Sequence, residues 1–406
     1  MMRAYFDSLA SHLSGQIAAH PAQPQARRRF SLEIARLGQR LFSASDTVAW
    51  CGVPVPFDLL NAMDVNSCFG EFVGAMMASA GAAPAMLRSA EDAGWFTDSC
   101  AYHRAIAGAA IQGVMPAPHF LVGATTPCSG GLAALENLAR HFRKDLFVLH
   151  FPYDCGERGA RDLAGQLEEM TAFVAAHTGR PLDPLRLRAA VEKGNDARAA
   201  MIDVYRLAAR KPSPLRSHDL KDFGIVMPLF FGTDAAVDVA RAYVDELSAR
   251  AAAPANPSAE RLRLLWIQNR VQFKNALTQI MEDEYHAKVV VDELNDVNWA
   301  PIDPDEPFLG MARRMLAIPL HGSIARRVEH LGRLAKEYAI DGAIHPCHWG
   351  CRQGTGAKGL IQQGLRDLGV PMLGLEVDCV DPRNFSEGQL RTRLEAFFEM
   401  LDRQQQ

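Results

Sequence analysis

Twice along this chain an apolar run ends in a turn, passes into an amphipathic helix and returns as another apolar run. In the first half the run at 120–124 ends in Thr125-Thr126-Pro127-Cys128-Ser129-Gly130-Gly131. The apolar spacing of 132–142 predicts a helix, and 145–151 the next strand. In the second half a strand at 263–267, a helix at 273–284 and a strand at 288–291 come first. A helix at 323–338, a strand at 341–345, a helix at 359–368 and a strand at 371–377 follow. Strands that alternate with helices form parallel sheets, because a parallel connection needs a crossover. The fold class is therefore α/β, doubly wound, with parallel sheets. At 406 residues the chain is too long for one ordinary core, which predicts two lobes.

The remaining pattern fills in the organisation. A helix at 27–42, a strand at 47–51, a turn at 52–56 and helices beginning at 58–63 and 71–80 lead into the first lobe. From 158 to 210 the chain is charged, periodic and helical, with a break near 179–184. Lys211-Pro212-Ser213-Pro214 ends this stretch as a loop. The expected divisions are an N-terminal lobe over 1–157, a helical connector over 158–224 and a C-terminal lobe over 225–406. The alanine- and proline-rich stretch 249–259 reads as an exposed loop. A helix at 387–400, with Ser386 as its candidate N-cap, closes the chain.

Composition narrows the class of function. Hydrophobic residues make up 48% and charged residues 22%, as in a globular protein. A net charge of −4 gives no reason to expect nucleic acid or an anionic membrane as a partner. No apolar run reaches the roughly 18 residues of a membrane span, and the N-terminus lacks a long apolar signal segment. The expected location is the cytoplasm. Disulfides are disfavoured there, so the eight cysteines must be buried hydrophobes, metal ligands or reactive groups.

Their positions matter more than their number. In open parallel sheets, ligands bind beyond the carboxyl ends of the strands. Cys128 lies just past a predicted strand, Cys347 and Cys351 follow another, and Cys155 and Cys379 also follow strands. Cys100 precedes a helical run. This placement directs several thiols toward one crevice between the lobes. Thiolates in such a crevice suit zinc or an iron–sulfur cluster. No CxxC pair occurs, so spacing does not choose between them.

Five pieces of sequence carry a family resemblance. They are VPVPFDLLNAMDV (53–65), DSCAYHRAIAG (98–108), HFLVGATTPCSGG (119–131), DGAIHPCHWGCRQ (341–353) and VPMLGLEVDCVDPRNFSEGQLRTRLEAFFEML (370–401). In order and spacing they resemble the cluster-bearing D-component subunits of the 2-hydroxyacyl-CoA dehydratase and benzoyl-CoA reductase family. The resemblance implies two flavodoxin-like lobes with a [4Fe–4S] cluster between them, held by three cysteines with one iron open. Carried over, the ligands fall on Cys100, Cys128 and Cys351, with Cys347 as the alternative third ligand. It also implies a related second subunit, an ATP-dependent [4Fe–4S] activator protein and an acyl-CoA substrate. The implied chemistry is oxygen-sensitive electron transfer. It yields either ketyl-radical elimination of water from a 2-hydroxyacyl-CoA or, in the reductase branch, reduction of an aromatic acyl-CoA. Another branch carries an [8Fe–9S] double cubane, for which Cys51 and Cys68 would be needed; the cysteine expected from that branch within 114–119 is absent. A fourth reading is a scaffold subunit with no catalytic role.

Glu71 is the candidate acid/base group; its alternative is a solvated glutamate in the first turn of a helix. Arg104 would pair with a CoA phosphate or tune the cluster, the alternative being a structural ion pair. His348 and Arg352 adjoin the candidate ligands and would tune them. Ser129, Gly130 and Gly131 open a helix whose N–H groups would serve sulfur or an anion. Trp349 reads as a packing residue. His119 stands where the family often has aspartate. Glu376 and Asp378 are expected to cap a turn.

Overall fold

The computed structural model describes residues 2–43, 46–221, 223–254 and 260–405. Its strands form two four-stranded sheets. The first contains β1 (Val48–Cys51), β2 (Asn66–Phe69), β3 (Phe120–Ala124) and β4 (Leu146–Leu149), in the order β2-β1-β3-β4. The second contains β5 (Leu262–Trp266), β6 (Ala287–Asp292), β7 (Gly342–His348) and β8 (Met372–Val377), in the order β6-β5-β7-β8. Every pairing is parallel. Both sheets thus repeat one flavodoxin-like order, which reverses direction at its second strand. The central strands β3, β5 and β7 are buried along their whole length, as helices on both faces require.

The lobes are not separate cores. Helices Gly70–Ser79, Ala83–Asp92 and Ala101–Ile111 lie in sequence between β2 and β3. Their small apolar residues Ala78, Ala83, Ala101 and Ala105 nevertheless pack in one cluster with Trp266, Phe273 and Val377 of the second lobe. Helix Asp234–Ala252 packs against Pro184–Ala208 and Ala26–Leu41, so it sides with the connector and the leading helices. The expected loop at 249–259 begins too early: that helix runs to Ala252, and 255–259 lie outside the described residues.

Two further expectations are corrected. The helix expected over 273–284 is an α-turn at Leu277–Gln279 followed by a π-turn at Ile280–Glu284. Asn275 sets its start: its side chain accepts from the Leu277 N–H at 3.0 Å and donates to the Phe273 carbonyl at 2.7 Å. The strand expected to end at His345 continues to His348, which places Cys347 inside β7. Strand β2 and helices Ala83–Asp92, Asp234–Ala252 and Pro307–Leu316 had no counterpart in the sequence reading.

Candidate functional site at the facing switch points

In a sheet of this order the crevice opens between the first and third strands, where the connections diverge. In the first lobe, Val53 follows β1 and Cys128 follows β3. In the second, Gln268 follows β5 and Cys351 follows β7. All four line one cavity of about 740 Å³, together with Cys100 and Glu71. The doubled topology therefore brings both switch points to a single space.

Each of the three thiols there accepts a hydrogen bond. The Gly131 N–H, in the first turn of helix Ser129–Phe142, donates to Cys128 Sγ at 3.3 Å. His348 Nε2 lies 3.3 Å from Cys100 Sγ across the lobe boundary. Its tautomer follows from the other ring nitrogen: Nδ1 accepts the Cys379 N–H at 2.9 Å, so the proton sits on Nε2 and points at the sulfur. Burial, with His103 and Arg104 nearby, lowers the His348 pKa to about 3 and keeps the ring neutral. Gln268 Nε2 donates to Cys351 Sγ at 3.7 Å. Burial pushes the Cys100 and Cys351 thiols up, and the neighbouring thiols push them in the same direction. These two thiols resist ionising on their own, and their thiolates become favourable once a cationic centre compensates them.

Glu71 opens helix Gly70–Ser79 and meets the same group. His103 Nε2 donates to Glu71 Oε1 at 3.3 Å, and the ring also bonds Cys128. Burial opposes charge on His103, but those two partners outweigh it and raise its pKa to about 9. The imidazolium lies over Gly130 and Gly131, where a side chain would meet it or the Glu71 carboxylate at 3.0–3.2 Å. Glu71 is thereby aimed at the cavity beside Cys128 rather than left as a solvated helix residue.

A buried network supports Cys351. Arg327 donates to both oxygens of Glu293, at 2.6 and 2.8 Å, and to Gln268 Oε1 at 3.0 Å. Gln268 also donates to Gln353 Oε1 at 2.8 Å. Gln268 holds a left-handed backbone, φ 61°, a strained state for a side-chain-bearing residue that these bonds fix. Gly350 joins the lobes: with φ 74°, a Cβ there would lie 2.5 Å from the backbone nitrogen of Cys100. Only glycine allows the Cys351 loop to rest on the Cys100 loop.

The other predicted residues fall elsewhere. Cys51 and Cys68 are buried in the first-lobe core and do not line the cavity. Cys347 is buried in β7, its thiol facing the His345 carbonyl at 3.5 Å. Cys379 is buried behind His348, and Cys155 is exposed beside Arg326. Strand-end position thus brings only Cys128 and Cys351 to the cavity, where Cys100 joins them. Arg104 is buried and bound to Glu91 at 2.5 Å, with Asp378 at 3.8 Å, which makes it a structural ion pair. Trp349 is 42% exposed, contrary to the packing role expected of it. His119 Nδ1 accepts the Val48 N–H at the start of β1. Asp378 caps its turn through the Val380 and Asp381 N–H groups, whereas Glu376 pairs with Lys358. Gln268, Arg327 and Glu293 were not singled out by sequence; the one available signal was that Gln268 follows β5 as Cys351 follows β7.

Among the described residues, no three His, Cys, Asp or Glu side chains converge closely enough to hold a single metal ion. Three thiols from the two lobes line the cavity, a donor set of the chemistry that thiolate-bound metal groups use.

The profile of the family described as 2-hydroxyglutaryl-CoA dehydratase, D-component, matches residues 53–401. The chain is 25% identical to a subunit of the benzoyl-CoA reductase of Thauera aromatica, over 78% of this chain and 80% of the relative. It is 23% identical to the alpha subunit of the lactoyl-CoA dehydratase of Anaerotignum propionicum, over 88% and 91%. It is 21% identical to the (R)-phenyllactyl-CoA dehydratase alpha subunit of Clostridium sporogenes, over 88% and 90%.

Proposed function

This chain belongs to the 2-hydroxyglutaryl-CoA dehydratase D-component family, and from that premise we propose that it is the iron–sulfur subunit of a 2-hydroxyacyl-CoA dehydratase. One observation carries the reading. Cys100, Cys128 and Cys351 come from three separate segments, line one cavity, and each accepts a hydrogen bond at sulfur. They are the residues that would hold a [4Fe–4S] cluster. Such a cluster supplies one low-potential electron and an open iron able to act as a Lewis acid. The proposed reaction is loss of water from a 2-hydroxyacyl-CoA after one-electron reduction of the thioester to a ketyl radical anion, a lyase reaction.

The protein's own contribution is positional. His348 and Gln268 place hydrogen-bond donors on two of the sulfurs and the helix N-terminus at Gly131 serves the third, which raises a cluster's potential by stabilising its extra electron. Glu71, held by His103, would accept the β-proton after the ketyl has expelled its α-hydroxyl, and the electron left on the product would return to its donor, so that the dehydration is redox-neutral. Cys51 and Cys68, being in the core, favour a single cubane over an [8Fe–9S] double cubane. A related second subunit and an ATP-dependent [4Fe–4S] activator complete the proposed system, in a reducing cytoplasm. Among the described residues no helix is long and apolar enough to cross a membrane. The similarity to a benzoyl-CoA reductase subunit supports a second reading, electron delivery to an aromatic acyl-CoA.

Turnover tests the reading. Combined anaerobically with a related second subunit, an activator and ATP, the chain should dehydrate a 2-hydroxyacyl-CoA. Cys128→Ser should abolish that turnover. Full activity in the variant would identify the chain as a scaffold, and ring reduction without dehydration would select the reductase.

A further inference from the structure

We propose that the acyl-CoA bound here ends in an apolar group, a branched aliphatic chain or a single ring, and that this end occupies a side pocket off the main cavity. The inference rests on reading the cavity as a thioester site and adds the class of substrate. The side pocket measures about 130 Å³ and is walled by Val53, Phe231, Trp299, Met315, Ile318 and Leu320. It adjoins the cysteine-lined cavity, since Val53, Pro127, Ile225 and Leu320 line both. A thioester carbonyl near the cysteines would have this pocket within reach of its acyl end. An apolar cavity of roughly 150 Å³ takes one benzene ring, which sets the scale of the group.

Charge decides what that group is. Arg314 lines the pocket but donates to both oxygens of buried Asp58, at 2.8 and 2.7 Å, with its guanidinium 5.4 Å from the centre of the Phe231 ring. Glu293 is bound to Arg327, and Asp296 to Arg333. Asn298 donates to the Ala317 carbonyl at 2.8 Å. Each charged group on the wall already has its partner. A second carboxylate on the substrate, as in a glutaryl group, would meet no available cation and two carboxylates of its own sign, and would lose its water for nothing.

Calorimetric titration of the anaerobic, iron-loaded chain with acetyl-CoA, 4-methylpentanoyl-CoA and glutaryl-CoA tests this. The 4-methylpentanoyl thioester should bind at least about tenfold more tightly than either of the others, since each buried methylene discriminates by that order. Ile318→Trp, at a half-buried position, should remove the margin while leaving acetyl-CoA binding unchanged. Trp299→Ala should extend tight binding to octanoyl-CoA. Glutaryl-CoA binding as tightly as 4-methylpentanoyl-CoA, or a margin unmoved by both variants, overturns the proposal. Iron measured on the same samples separates the two ideas. Wild-type protein without iron would sink the cluster function, whereas iron with no acyl discrimination would sink this inference alone.

Discussion

Cys351→Ala is expected to strip the protein of its iron, while Cys347→Ala leaves the iron content within the scatter of the wild type. The two thiols are close in sequence but face different surroundings. Cys351 precedes a short helix, faces the cavity and accepts from Gln268. Cys347 lies inside β7 with its thiol toward a carbonyl, which makes it a donor and therefore protonated. Burial, with Glu376 nearby, raises its pKa to about 11. A cluster with an open iron has no fourth thiolate to substitute, so losing one of three removes the site rather than weakening it. Iron and acid-labile sulfide on the two anaerobically purified variants check this. Loss in Cys347→Ala and retention in Cys351→Ala would exchange their roles.

Arg327→Met is expected to produce the largest loss of stability. Arg327 and Glu293 are 3% and 0% exposed at the side chain, and the guanidinium holds both carboxylate oxygens. Removing the arginine leaves a buried, uncompensated carboxylate, at a cost of about 3–5 kcal/mol. Changing Glu293 to Leu as well should recover most of that, because an apolar pair of similar volume needs no compensation. Denaturant unfolding of the two variants measures both effects. The double variant should still bind its cluster less well, since Gln268 loses the bond that fixes its strained backbone beside Cys351. A single variant as stable as the wild type would show that the pair does not carry the site.

The repeated strand–turn–helix order was legible because parallel strands buried on both faces read as continuous apolar runs. Cys100, Cys128 and Cys351 were singled out by resemblance, and for two of them strand-end position had given a physical reason. Strand β2 was missed because Asn66-Ser67-Cys68-Phe69 is short and half polar; its place comes from pairing with β1. Position after a strand does not by itself bring a thiol to the crevice: Cys155 and Cys379 follow strands but are exposed and buried, respectively. A strand end fixes height in the sheet, and direction depends on the turn. The supporting groups Arg327, Glu293 and Gln268 are scattered over 268–327. Nothing local marks them, because their relation exists only once β5, β6 and the helix Ile324–Glu337 have packed.

In the proposed function the two lobes share one cluster on three thiolates. The most direct measurement is iron and acid-labile sulfide in the anaerobically purified wild-type chain, with the spectrum of its one-electron-reduced state. About four iron and four sulfide per chain are expected, with a paramagnetic signal on reduction. One zinc with no sulfide, or no metal at all, would contradict that function.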